Sequence, residues 1–270
     1  MIPLEERFPR PSVMGVVNVT PDSFSDGGVH LDPAVADGAA RRMAAEGAAI
    51  VDVGGESTRP GSGGVTLDEE LRRVVPVLEL LGGEVPVSID TAKAEVARRA
   101  LALGAVMVND VTAFRAEPAI AEVAAEHGAY VCLMHMQGEP RTMQVAPRYA
   151  DVAAEVATFL EERMRVAVSR GVAEERICLD PGIGFGKTVE HNVELLRRLD
   201  VLLALGRPVL IGLSRKSSLG KLAGDPAATT GPLGVSIAAA VAAYERGVSI
   251  LRVHDVREHV EALAVARALA

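Results

Sequence analysis

The sequence predicts an α/β protein built as one (β/α)8 barrel, a TIM barrel, with long loops after its first and second strands. Three observations predict it. The chain has 270 residues, close to the size of one such barrel, about 250 residues. Short apolar runs alternate with longer helix-patterned segments, giving eight candidate strands in all. Each apolar run gives way abruptly to polar or glycine-rich residues.

The candidate strands span 13–17, 49–53, 85–89, 105–108, 130–134, 176–179, 208–211 and 249–253. Between them lie segments rich in Ala, Leu, Glu and Arg at helical spacing, over 34–46, 69–81, 93–103, 151–170 and 189–205. Near-continuous apolar strands separated by helices indicate parallel pairing, buried on both faces. A doubly wound open sheet alternates in the same way, but eight units in this length favour closure. No Ser/Pro-rich run, charge block or low-complexity stretch interrupts the pattern, so residues 1–270 are expected to form one domain.

Composition narrows the partners. The apolar fraction of 49% and charged fraction of 24% are those of a soluble globular protein. A formal charge of −8 with only 3% aromatics and no Trp argues against a nucleic-acid partner, which needs a basic face or a stacking platform. A small anionic ligand is still allowed, because a few local cations outweigh net charge at close range. Cys132 and Cys178 each sit inside an apolar run and read as small core residues. The first ten residues carry no apolar h-region, and no stretch approaches about 18 uninterrupted apolar residues. The expectation is a cytoplasmic protein with no membrane partner.

The strand ends carry the chemistry: Asn18, Glu56-Ser57-Thr58-Arg59, Asp90, Asn109-Asp110, His135, Asp180, Ser214-Arg215-Lys216 and Arg252-Val253-His254-Asp255. In a (β/α)8 barrel these ends converge on one mouth, where substrates bind. A single Asp after a strand is usually a helix N-cap, and Asp90 or Asp255 alone could be read so. The whole set cannot, because it would ring a polar cup. The first loop runs from Asn18 to Gly28 and exposes Phe24 among polar and glycine residues. It is long for a βα connection and reads as a water-excluding lid. The second, Gly54 to Gly64, has five glycines and one arginine, suited to close backbone approach and a bidentate phosphate grip.

Gly186-Lys187-Thr188 superficially suggests a P-loop, but that motif needs Gly five places before the Gly-Lys pair, where Pro181 stands. His135, His254 and His259 lack zinc spacing. Only four lysines occur, at 93, 187, 216 and 221, which makes Lys216 at a strand end conspicuous. Arg252 and His254 stand at alternate positions after strand eight and project to one side. With Arg59 they could hold a diphosphate, where such barrels often bind phosphate.

Five motifs resemble those of the dihydropteroate synthases, in that family's order. They are Met14-Gly15 with the first loop, Gly55-Glu56-Ser57-Thr58-Arg59-Pro60-Gly61, Asp180-Pro181-Gly182-Ile183-Gly184-Phe185-Gly186-Lys187, Gly212-Leu213-Ser214-Arg215-Lys216-Ser217 and Arg252-Val253-His254-Asp255-Val256. The resemblance implies a transferase of folate biosynthesis that joins 6-hydroxymethyl-7,8-dihydropterin diphosphate to p-aminobenzoate, releasing pyrophosphate through a pterin carbocation-like step. It places Asp90, Asn109, Met134, Asp180, Phe185, Gly212 and Lys216 around the pterin. Thr58, Arg59, Arg252 and His254 fall on the diphosphate, and Phe24, Pro60, Lys216 and Ser217 on p-aminobenzoate. Asn18 is the implied contact for Mg2+, and Asp26, Asp90, Lys216 and Arg252 are the implied catalytic set, with Asp26 facing the developing cation. Homodimerisation is implied as well. The family commonly has an aromatic where Ser218 stands, so that wall of the arylamine pocket differs here. A related barrel, the methyltetrahydrofolate-binding methyltransferase, shares the strand-end Asp and Asn residues, and a non-catalytic pterin-binding paralogue is a third reading. The methyltransferase would not need the arylamine and diphosphate loops, and intact loops one and two argue against the paralogue.

Overall fold

The structure, a computed structural model, describes residues 2–20, 32–59 and 61–269. Its eight strands are β1 (Ser12–Asn18), β2 (Ile50–Gly54), β3 (Val87–Asp90), β4 (Met107–Asp110), β5 (Tyr130–Met134), β6 (Ile177–Asp180), β7 (Leu210–Gly212) and β8 (Ile250–Val253). All the pairings are parallel, in the order β6-β5-β4-β3-β2-β1-β8-β7. A parallel bridge between Leu179 and Val209, with Leu179 N–H donating to the Pro208 carbonyl at 3.0 Å, links the two ends. The sheet thus curls into a barrel, as the alternation of the sequence predicts.

The helices among the described residues are α1 (Leu4–Arg7), α2 (Pro33–Ala45), α3 (Leu67–Leu81), α4 (Ala94–Ala102), α5 (Ala119–Glu126), α6 (Val152–Ser169), α7 (Val189–Arg197), α8 (Leu199–Leu203), α9 (Ser217–Leu222), α10 (Leu233–Glu245) and α11 (Val256–Leu269). The expected helix over 189–205 is broken at Arg198, whose φ of −111° and ψ of 38° leave the helical region. The Arg198 guanidinium pairs instead with Asp151 at 2.9 Å. None of the described helices is long and apolar enough to cross a membrane.

Period-two alternation divides the strand residues between two cores. Val51, Val53, Ile89, Val108, Val131, Leu133, Leu179, Ile211 and Leu251 face outward into one large cluster with the helices. Met14, Ile50, Met107, Cys132, Cys178, Leu210 and Ile250 form a second, smaller cluster inside the barrel, joined by Leu4 and Phe8 from the N-terminal segment. Phe8 meets Tyr130 edge-on with centroids 5.5 Å apart. Both cysteines are fully buried in this inner layer and unbridged, as their apolar setting predicts.

Two residues further along β2, β4, β6 and β8 the inward position changes character: Ile50 is followed by Asp52, Met107 by Asn109, Cys178 by Asp180 and Ile250 by Arg252. The barrel is therefore filled with hydrocarbon at its N-terminal end and polar groups at its C-terminal end. That switch positions the site.

Candidate active site

A buried ion cluster forms the floor of the mouth. Asp52 on β2 is fully buried, and its Oδ2 accepts from Asn109 Nδ2 at 2.9 Å and from Arg252 Nε at 2.7 Å. Arg252 Nη2 donates to Asp90 Oδ2 at 3.0 Å. Asp90 is 7% exposed and Asn109 4%. The register explains the meeting, since Gly54 pairs with Asp90 and Asp90 with Asn109 along adjacent strands. Arg252 starts lower, beside Met14, and its long side chain rises through the interior to reach the carboxylates.

Asp180 lies on the same inner surface, and its Oδ1 accepts the Gly182 N–H at 2.7 Å. Gly182 has φ +67°, and a Cβ there would lie 1.9 Å from the His135 carbonyl oxygen, so only glycine allows this turn. Lys187, 3% exposed, secures the same loop by donating to the carbonyls of Gly182 at 3.1 Å and Phe185 at 3.0 Å. Its Nζ also lies 2.9 Å from His135 Nδ1. This lysine is an internal staple, consistent with rejecting a nucleotide loop. Phe185 packs on a cluster of Val111, Met134, Met136 and Met143, and Lys216 Nζ stands 4.5 Å above its ring centroid.

Electrostatics follow from burial. Loss of water and the neighbouring Asp52 carboxylate push Asp90 up, against the pull of Arg252. Burial pushes Asp180 up to about 6. Lys216 is pushed down to about 8 by burial and by Arg252. His254 falls to about 3 through burial and then Arg252, so at neutral pH its imidazole is uncharged and offers an anion a hydrogen bond, not a charge. Three acidic side chains (Asp52, Asp90, Asp180) share this floor with Arg252 and Lys216. Asp52 Oδ1 and His254 Nδ1 are buried without a hydrogen-bond partner among the described residues. A buried acceptor without a donor is costly, and a ligand presenting N–H groups would answer the unpartnered Asp52 oxygen.

The expected site residues sort as follows. Asp90, Asn109 and Arg252 come together directly, and Asp180, Met134, Phe185 and Lys216 line the neighbouring strand ends β5, β6 and β7. Gly212 pairs with Arg252 in register. Asn18 ends β1 opposite Gly54. Ser217 opens α9, and Ser218 behind it is 8% exposed. Thr58 and Arg59 are half-buried in loop two, where the Ser62 N–H donates to the Arg59 carbonyl at 3.0 Å. Phe24, Asp26 and Pro60 lie outside the described residues. The reading of Asp90 as a helix cap fails: its carboxylate turns inward, and the Ala94 N–H at the start of α4 is taken by Glu117 Oε2 at 2.7 Å. Asp110, beside Asn109, faces the other way and accepts from Thr112 and Phe114 N–H at 2.7 Å each. Arg215 is bound to Asp255 by two hydrogen bonds of 2.8 and 2.7 Å, which leaves Lys216 as that loop's contribution to the mouth.

Asp52 is the residue that reading strand ends missed, because it lies two places before the tip of β2. Its signal was present: a lone carboxylate inside the run Ile50-Val51-Asp52-Val53, in step with the inward Gly54.

A barrel whose strand ends gather buried carboxylates, an amide, a lysine and an arginine defines an enzyme for a small, hydrogen-bonding heterocycle. The model of the family described as "Pterin binding enzyme" matches residues 14–254, and the chain belongs to that family. Similar relatives within it are dihydropteroate synthases. That of Escherichia coli (strain K12) is 49% identical over 96% of this chain and 91% of its own length. Among solved structures, the Yersinia pestis dihydropteroate synthase in a sulfonamide drug complex superposes with a TM-score of 0.91 at 44% identity, covering 97% of this chain and 95% of that one. The Xanthomonas albilineans enzyme in complex with 7,8-dihydropteroate gives 0.84 at 46% identity, covering 97% and 94%.

Proposed function

We propose that this protein is a dihydropteroate synthase, joining 6-hydroxymethyl-7,8-dihydropterin diphosphate to p-aminobenzoate with release of pyrophosphate. The observation that carries the reading is the floor of Asp52, Asp90, Asn109 and Asp180 around Arg252, at the C-terminal mouth of the barrel. The pterin pyrimidine edge is a row of N–H donors beside one carbonyl. Buried acidic side chains with an unfilled acceptor are suited to the donors, and Lys216 to the carbonyl. The complex of the Xanthomonas relative with 7,8-dihydropteroate supports the same assignment.

The chemistry is departure of pyrophosphate from the pterin methylene carbon, capture of the resulting cation by the arylamine nitrogen, and loss of one proton from that nitrogen to water or the departing pyrophosphate. Preorganised charge accelerates such a step at both ends. Thr58, Arg59 and His254 are proposed to hold the diphosphate, with Arg252 adding positive potential from beneath. Asp26 is proposed as the carboxylate that stabilises the cation. Phe24, Pro60 and Ser217 with Lys216 would bind p-aminobenzoate. The two long loops exclude water that would otherwise hydrolyse the cation.

The residues present fit Mg2+ of the kind held mainly by a substrate. Among the described residues no group of three or more His, Cys, Asp or Glu is placed to hold an ion, and Mg2+ in phosphate sites takes one or two protein oxygens plus phosphate and water. Asn18, at the rim opposite Gly54, would supply the amide oxygen. When bound, the ion would neutralise charge on the leaving pyrophosphate. A cytoplasmic homodimer is the proposed setting.

Pyrophosphate release measured with both substrates and Mg2+, and with each omitted, tests the function. Release that needs all three supports it. Pterin binding with no release points to a non-catalytic paralogue, and methyl transfer from a methylated folate points to the other enzyme reading.

A further inference from the structure

Loop two, residues 55–66, joins β2 to α3 and carries Thr58 and Arg59. Something must hold it, because its four glycines supply no side chains to pack. Its first stem is gripped twice. Arg73 Nη1 on α3 donates to the Gly55 carbonyl at 2.8 Å. Glu56, next in the chain, is ion-paired with Lys93, which stands just before α4 and makes no cap there with its side chain. The second stem returns over the same carboxylate: a Cβ added at Gly64, where φ is +74°, would lie 3.2 Å from Glu56 Oε1.

Lys93 also joins this stem to the barrel. Its Nζ lies 2.5 Å from Oε2 of Glu70, a carboxylate with no exposure. Glu70 Oε1 in turn accepts the Thr91 hydroxyl at 2.6 Å. Thr91 follows Asp90, whose carboxylate is bound by Arg252. One polar chain therefore runs from loop two, through Glu56, Lys93, Glu70 and Thr91, to the pterin floor. Stability alone does not explain it, since buried ion pairs are often replaceable by hydrocarbon at no loss, and their best-attested use is to fix register. The two ends it ties together are those that would hold opposite ends of one substrate.

We propose that Glu56 and Lys93 are positioning residues, a latch that sets loop two above the pterin floor so that the diphosphate and the ring are held at one fixed spacing. This rests on the synthase reading. Glu56→Ala is the sharpest test, because it cuts the loop end of the latch and leaves buried Glu70 paired with Lys93. It should raise KM for the pterin diphosphate and lower kcat, together about 10- to 100-fold in kcat/KM, as a misplaced binding group does. The Kd of the free 6-hydroxymethylpterin should stay within about twofold, since it needs only the floor. Lys93→Met should show the same kinetic loss and also lower stability, because it strips buried Glu70 of its cation, and Lys93→Arg, which keeps both ion pairs, should recover most of both losses. Wild-type kinetics in Glu56→Ala, or equal loss for the diphosphate and the free alcohol, overturns the latch. Amide hydrogen exchange separates this from the function itself: Glu56→Ala should speed exchange across residues 57–65 without substrate present. Unchanged exchange defeats the latch even if turnover of Glu56→Ala falls, whereas faster exchange in a protein that releases no pyrophosphate defeats only the synthase reading.

Discussion

Arg252 Nε on β8 donates to Asp52 Oδ2 on β2 across 2.7 Å inside the barrel. The pair makes a counterion arrangement of what the sequence presents as two unrelated residues 200 positions apart. Arg252 is bound to Asp52 and Asp90 on the floor of the mouth, so the part proposed for it in anion binding is through potential from below.

Removing Arg252 should therefore harm the fold as well as the reaction. Arg252→Met leaves Asp52 and Asp90 without their cation, and breaking a buried pair in this way costs about 3–5 kcal/mol. The double variant Asp52→Asn with Arg252→Met should lose less than the sum of the single variants, because the groups are in direct contact. Urea unfolding of the three variants measures this. Strict additivity would show that the pair does not act as a unit.

Asp180→Asn should separate binding from stability. The amide oxygen can still accept the Gly182 N–H, but a charge-assisted acceptor is lost, worth about 1.5–3 kcal/mol or roughly 10- to 100-fold in pterin affinity. Stability should move the other way. Burial raises the Asp180 carboxyl from 3.8 to about 6, so its ionised form destabilises the fold above that range and contributes nothing below 3.8. The variant should gain at most about 3 kcal/mol at pH 7, and nothing in acid. Calorimetry at both pH values checks the gain, and fluorescence titration with pterin checks the loss.

Pterin affinity should carry an acid limb from the same group. The acceptor is present above the Asp180 value of about 6 and is lost as pH falls through it, about tenfold in affinity per pH unit well below. Asp180→Asn should flatten that limb while leaving any alkaline limb in place. The cation on Lys216, lowered to about 8, is present below that value and lost above it. Lys216→Met should remove its share of the alkaline limb. An acid limb unchanged in Asp180→Asn would assign it to another group.

Gly182→Ala is expected to be among the most damaging small substitutions. Its methyl would sit 1.9 Å from the His135 carbonyl oxygen at a φ of +67°, which joins backbone strain to a backbone clash, and losses above about 3 kcal/mol are typical of such mechanisms. Because this turn holds Asp180 through the Gly182 N–H, pterin binding should fall even in whatever fraction folds. Gly61→Ala, at a similarly positive φ but with nothing near its Cβ, should lose only the smaller conformational part. Comparable melting temperatures for the two would refute the clash argument.

The sequence by itself determined the eight-fold alternation, most strand positions and the polar character of every strand end, because hydrophobic periodicity and the abrupt change at a barrel rim are local properties. It also carried the motifs that mark the family. Which polar neighbour turns inward was decided by tertiary structure: Asn109 and Asp110 look alike in the chain, yet one joins Asp52 and the other caps its own turn. Asp52 escaped notice for the same reason, since facing inward is a property of barrel closure and strand register and not of composition. The latch from Glu56 to Glu70, and the charge states of His254, Asp180 and Lys216, also belong to the fold alone. They arise from burial and from partners far apart in the chain, and no local pattern encodes a distance between residues that only the closed barrel brings together.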